Sequence, residues 1–340
     1  MFPDFFGHAQ VTRALTQMMT SGRLPQTILF SGPEGVGKAT LARRFAAALL
    51  GHPEKIERDD LSLPHNLEII AGRESWLAEK RNEDPLLFST HPDFITFPPD
   101  GPLRQLSIPQ MRLLRERVPF KPLKGQRRVF LIDHIDRAND QAANSLLKTL
   151  EEPPAHLVLV LTAENAYDLL PTIRSRSVPF HFSPLSGGDM DAFIAARGLS
   201  DGPRRATLAS GSPGLAVSMD LEAHDKRRSG MLLLLKVAAG ITPFGAWAPV
   251  SETIGRSKSD RLEFHLKALY GLLRDLLAAR EGGEIRNRDL RVEIDAIARA
   301  VSFDWIRRAV GKVDDLSSLL ARSIQKTIAL DSFIMELRRP

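Results

Sequence analysis

Along its first half the chain alternates short apolar runs with stretches in which apolar residues recur at helical spacing. "TILFS" (27–31) precedes a helical pattern over 38–50, "DFITF" (93–97) precedes "IPQMRLLRERV", and "RRVFLID" (127–133) precedes "QAANSLLKTL"; "HLVLVLTA" (156–163) closes the series. Strands alternating with helices predict an α/β domain built on a parallel sheet with helices on both faces. The runs at 129–132 and 157–161 are apolar without a break, the composition of central strands buried on both sides. Residues 51–90 are polar and irregular, and read as an insertion.

Past "FHFSPLSGGD" the strand pattern ends. Residues 187–222 read as short helices broken at "RGLSDGP" and "SGSPG", and the remainder as longer amphipathic helices such as "RLEFHLKALYGLLRDLLAAR" (261–280). The pattern divides the chain into an α/β domain over 1–182, a small helical domain over 183–222 and an all-α domain over 223–340. Neither repeats nor low-complexity segments interrupt it.

Composition narrows the chemistry. With 43% hydrophobic and 26% charged residues the 340-residue chain has an ordinary globular balance. It has no Cys, which removes disulfides, thiolate zinc sites and a thiol nucleophile, and favours a reducing, cytoplasmic setting. The start "MFPDFFGHAQ" lacks a basic segment followed by an apolar run, and "MLLLLKVAAG" from Met231 is too short to span a bilayer. Neither secretion nor a membrane is expected. The net charge is +5, and from Ala223 to the end 21 Lys and Arg stand against 15 Asp and Glu, so the basic excess lies in the last third.

The candidate chemistry begins at "SGPEGVGKAT" (31–40), between a predicted strand and a predicted helix. Gly32, Gly35 and Gly37 let backbone N–H groups converge on phosphate oxygens, and Lys38 and the helix N-terminus add positive charge. The next position, where a hydroxyl would meet magnesium, is Ala39; Thr40 follows one residue late, a rotation of about 100° on a helix. Asp133 ends a strand where such folds hold magnesium through water, but His134 takes the place of the Glu that polarises attacking water. His134 reads as a helix-entry histidine, and Asp136, two residues on, as pointing elsewhere. The adjacent carboxylates of Glu151 and Glu152 diverge by about 100° and read as structural. Gly32, Gly35, Gly37, Lys38, Thr40 and Asp133 are thus candidate contacts to ATP at a degenerate site, and no metal ligand is assigned. "LLPTIRSRS" presents Arg174 and Arg176 in a polar turn, either as solvated side chains or as an arginine finger, a guanidinium that stabilises charge on a transferring phosphoryl group. The basic segment "KPLKGQRR" (121–128), with Lys121, Lys124, Arg127 and Arg128, reads either as a contact to nucleic-acid phosphates or, at least equally, as solvated surface, since it has no aromatic residue to stack on a base.

Taken in order, "LPQTILFSGPEGVGKATLARRFA", "HPDFITF", "RRVFLIDHIDRANDQAANSLLKTLEEPPAHLVLVLTAEN", "LLPTIRSRSVPFHF" and "SGSPGLAVSM" resemble the clamp-loader branch of the AAA+ ATPases, in the form found in bacterial DNA polymerase III. The resemblance is dense over about 1–219. It implies a RecA-like module, a helical lid and a helical collar, joined in a hetero-oligomeric ring with gamma/tau-type motor subunits and a delta subunit. Such a ring places a sliding clamp on primed DNA. In the family's SRC motif, here Ser175-Arg176-Ser177, the arginine acts in trans on a neighbour's ATP; Ser177 stands where Cys is usual. Motor subunits carry Thr, Glu and a lid Arg where this chain has Ala39, His134 and Gly214. The resemblance therefore implies a stator largely without ATPase activity that supplies Arg176. The alternatives are an active ATPase at its own loop and a scaffold that binds ATP without hydrolysis. Family members often carry a four-Cys zinc module ahead of "HPDF"; without Cys, zinc there is excluded.

Overall fold

The computed structural model describes residues 2, 4–257, 260–319 and 325–338. They form two compact units, Met1–Ser218 and Met219–Pro340. In the first, strands β1 (Thr27–Ser31), β2 (Phe94–Phe97), β3 (Arg128–Ile132), β4 (Leu157–Ala163) and β5 (Val178–His181) form one parallel sheet in the order β2-β3-β4-β1-β5. β1 to β4 are buried throughout, so alternate residues serve two cores. Ile28, Phe30, Val158 and Val160 pack with Leu15, Leu41 and Phe45 on one face. Leu29, Phe130, Leu159 and Leu161 pack with Met111, Leu114 and Leu146 on the other. The expected sheet with helices on both faces is present.

Two elements were not anticipated. β5 is half-exposed and contains Pro179, which pairs with Leu29 at the sheet edge; an edge strand tolerates the missing N–H and shows no apolar run. A helix over Ala9–Thr20 buries Val11 and Leu15 on one face, an i, i+4 spacing that is readable in the sequence.

The insertion is more regular than expected. It folds into helices over Pro53–Ile56, Pro64–Arg73 and Ala78–Glu83, anchored by Ile56 in the core of one sheet face and by a set of polar contacts. Buried Arg73 donates from Nε and Nη2 to Asp100 at 3.1 and 2.8 Å and from Nη1 to Asp84 at 3.2 Å. The Arg73 guanidinium and the Lys80 ammonium lie 4.5 and 3.8 Å from the centre of the Trp76 ring. Arg43 pairs with Glu57 and Asp60, tying the insertion to the helix Lys38–Leu50. Such a network anchors a segment whose pattern shows no periodicity.

Short helices over Gly187–Arg197, Gly202–Ala209 and Pro213–Ser218 fall within the first unit and enclose a small core of their own around Met190, Phe193 and Ile194.

The second unit is helical throughout its described residues. The long helix Leu262–Glu281 packs against Leu221–Ala238, Arg291–Ala300 and Phe303–Ser318. Trp247, fully buried, donates from Nε1 to Asp331 at 2.6 Å. Asp275, also fully buried, accepts from the Asn287 backbone N–H at 2.8 Å, from Asn287 Nδ2 at 2.7 Å and from the Arg286 N–H at 3.1 Å, and pairs with Arg274. Burial alone pushes its carboxyl up; the donors from Asn287, Arg274 and Arg286 outweigh it and leave the group below its ordinary value. A depressed carboxyl contributes stability that is present above the unfolded-state pKa near 3.9 and is lost as the pH falls through the folded value. Asp275→Asn is therefore expected to flatten the acid side of the unfolding profile of this unit. Urea midpoints at pH 7 and pH 3 check it, and equal slopes in the two proteins would discount Asp275. Asp275→Ala, which strands the same donors, is expected to cost on the order of 3 kcal/mol.

Candidate functional site

The loop after β1 leaves the sheet tied to β4, because the Gly32 N–H donates to the carbonyls of Ala163 and Glu164, both at 3.1 Å. It turns through Gly35 and enters the helix Lys38–Leu50 at Gly37. Gly35 has φ 74°, and a Cβ there would sit 2.3 Å from Ser212 Oγ, so both the turn and its neighbour demand glycine. Lys38 is buried and donates from Nζ to the loop's own carbonyls, Gly32 at 2.5 Å and Pro33 at 2.7 Å. Burial pushes its ammonium down, opposed by the charges of Glu164, Asp133, Asp136 and Glu34.

The helix Pro213–Ser218 is seated directly on this loop. Ser212 Oγ donates to the Glu34 carbonyl at 2.9 Å, and the Gly214 N–H to the Gly35 carbonyl at 2.8 Å. A Cβ on Gly214 would meet Gly35 Cα and O at 2.9 Å. Where motor subunits are expected to carry an arginine, there is thus a glycine pressed onto the loop backbone. On another side His8 Nε2 lies 3.2 Å from the Val36 carbonyl, with its ring 4.6 Å from Phe182. Sequence reasoning missed Ser212 and His8. Ser212 lies in the break "SGSPG" and accepts from the Leu215 N–H at 3.3 Å, but nothing local pointed to Glu34.

At the ends of β3 and β4, Asp133 accepts the Thr162 hydroxyl at 2.6 Å, and Thr162 Oγ1 accepts the His134 backbone N–H at 2.8 Å. His134 takes a left-handed conformation at the head of the turn Ile135–Arg137, the expected helix-entry position. Its Nδ1 is buried without a hydrogen bond, 3.9 Å from the carboxylates of Asp136 and Glu164. Asp136 does not point elsewhere. The short turn folds it back so that its Oδ2 accepts the Glu164 N–H at 2.8 Å, and burial pushes its carboxyl up. Ala39 and Thr40 are the second and third residues of their helix, so the hydroxyl is a full residue's rotation from the position next to Lys38. Among the described residues no cluster of His, Cys, Asp and Glu is able to hold a metal ion.

The polar turn lies at the other end of the sheet. β1 ends at the loop, whereas β5 begins at Val178, opposite Ile28 near the start of β1. Just before Val178, Ser177 Oγ donates to the Ile173 and Arg174 carbonyls and closes the helix Pro171–Arg174. Arg174 stacks 5.2 Å over Tyr167. Arg176 donates from Nη1 to the Thr172 carbonyl at 3.0 Å and to Ser175 Oγ at 3.4 Å, and from Nη2 to Glu151 at 2.8 Å. The loop residues and the strand-end acids therefore come together, while Arg176 stands apart from them.

The family model for the DNA polymerase III delta subunit matches residues 7–186. DNA polymerase III subunit delta' of Pseudomonas aeruginosa is 32% identical over 232 residues, 65% of this chain and 65% of that protein. The tau subunit of Salmonella typhimurium is 30% identical over 189 residues, 54% of this chain but 26% of its own length. The chain thus spans between about a quarter and two thirds of these curated relatives. Among solved structures, a DNA polymerase III gamma-subunit-related protein of Thermotoga maritima is similar at 18% identity and a TM-score of 0.42, over 95% of this chain and 98% of that one. No helix of the described residues is long and apolar enough to cross a membrane.

Proposed function

The chain belongs to the DNA polymerase III delta-subunit family, and on that footing we propose that it is a delta-prime-type clamp-loader subunit whose own phosphate loop is architecture and whose Arg176 acts on a neighbour's ATP. The observation that carries this reading is the separation of loop and arginine. β1 spans Thr27–Ser31, which at about 3.3 Å per residue puts its two ends more than roughly 13 Å apart. Arg176 is at one end and turned to Glu151; the loop is at the other. A guanidinium so placed serves a phosphate brought by another subunit, against which its planar N–H fork stabilises charge on the transferring phosphoryl group.

The loop's donors do not fit magnesium-dependent hydrolysis. The Ala39 side chain offers no oxygen, His134 stands where a water-activating carboxylate would be, and the position of the lid arginine is Gly214 on the loop backbone. The loop instead braces the first unit through its bonds to Ser212 and Gly214. Motor subunits of the gamma/tau type would supply nucleotide and metal, a delta subunit would complete the ring, and the sliding clamp and primed DNA would be reached through the complex, in the cytoplasm.

The isolated chain is expected to turn over ATP at the background rate of its own Lys38→Ala variant. Robust turnover that disappears in Lys38→Ala would overturn the stator reading in favour of an active ATPase. Affinity without turnover, read by calorimetry, would leave the loop a passive nucleotide seat.

A further inference from the structure

We infer that Glu151 is the positioning residue of Arg176, holding the guanidinium in the orientation it presents to a neighbouring subunit; the inference rests on the in-trans reading above. Glu151 is the last residue of the helix Asp140–Glu151 and is followed by Glu152. Both features disfavour a carboxylate there, since the helix C-terminus carries partial negative charge and a second acid sits beside it. Helix stability therefore does not explain a glutamate at this position. Nor does the fold, because the Arg176–Glu151 pair is solvent-accessible, with side chains 33% and 49% exposed, and such pairs contribute little. What Glu151 does is geometric.

Arg176 follows a helix of four residues, too short to orient a long side chain by itself. Its own turn supplies two acceptors, Thr172 O and Ser175 Oγ, and both engage Nη1. Both bonds hold a single corner of the guanidinium, and the one to Ser175, at 3.4 Å, is long for a hydrogen bond. The Glu151 contact to Nη2 at 2.8 Å is the third point, from a different element, and it fixes the plane. The Nε edge makes no hydrogen bond within the described residues and stays available to a phosphate oxygen. Arg174, two residues earlier, shows the contrast: it lies against Tyr167 and has no carboxylate partner among the described residues.

The test is a double-mutant cycle in the ring reconstituted with its motor subunits, clamp and primed DNA. Glu151→Ala is expected to lower the kcat for ATP about tenfold with KM for ATP unchanged, the signature of a catalytic group left slightly misplaced. Glu151→Gln, which keeps an acceptor oxygen at the same reach, is expected to recover most of the loss. In an Arg176→Ala background, Glu151→Ala is expected to add nothing. Thermal unfolding and ring assembly should be unchanged in all variants. A wild-type or raised rate for Glu151→Ala, a change in KM alone, or a loss that persists in the Arg176→Ala background would each overturn the positioning role. If Arg176→Ala itself leaves turnover unchanged, the in-trans reading fails and the role of Glu151 falls with it, an outcome distinct from a low Arg176→Ala rate beside a normal Glu151→Ala rate.

Discussion

Arg176→Ala in the assembled ring is expected to lower ATP turnover at the neighbouring subunit's site on the order of 10³-fold, the usual scale for losing an arginine finger. The effect should fall on kcat, because the guanidinium meets charge that develops as the phosphoryl group transfers. Arg176→Lys is expected to recover only a small part, since an ammonium is a point charge without the planar fork. The substitution should leave the chain itself folded: the pair with Glu151 is exposed, and breaking such a pair changes stability by less than about 1 kcal/mol. Steady-state ATP turnover and clamp loading, measured with wild-type motor subunits, check it. Unchanged rates would remove Arg176 from the reaction and leave its turn as solvated surface.

The second large effect is on the fold. Restoring a motor-type arginine by Gly214→Arg is expected to destabilise the first unit by roughly 2–3 kcal/mol, the scale of overpacking against backbone. The new Cβ would sit 2.9 Å from Gly35 Cα and O, atoms that move only if the loop moves. The Gly214 N–H to Gly35 carbonyl bond and the neighbouring Ser212 to Glu34 bond would be strained together. Gly214→Ala meets the same two atoms and should show the larger part of the loss. Urea unfolding of the first unit measures it; an unchanged midpoint would mean that the short helix swings away from the loop at little cost. Hydrolysis is not expected to return in either variant, because Ala39 still lacks a hydroxyl and His134 still replaces the carboxylate.

The elements of this chain were legible wherever local physics specifies them. β1 and the helix Lys38–Leu50 lie where the apolar run and the glycine-rich turn predicted, and β3 and β4 within a residue or two of their runs, because a strand buried on both faces has to be apolar at every position. β5 was missed because an edge strand with Pro179 needs neither alternation nor an apolar run. The insertion was misread because its order comes from Arg73, Asp100 and Trp76 meeting across the chain, and ion pairs have no period.

The site divided in the same way. By itself the sequence determined which donors exist: a glycine loop with Lys38, Ala39 where a hydroxyl would be, His134 where a carboxylate would be, and an arginine at 176. Those are facts of residue type, and side-chain chemistry follows from type alone. Only the tertiary structure decided where the donors point. It returned Lys38 to the loop's own carbonyls, brought Ser212 onto Glu34 from 178 residues along the chain and Gly214 onto Gly35, folded Asp136 back to Glu164, and closed Arg176 against Glu151. Apart from the Lys38 contacts, which stay within one loop, these join segments whose approach is set by crossovers of the parallel sheet, and no local pattern of apolar and polar residues records the path of a crossover.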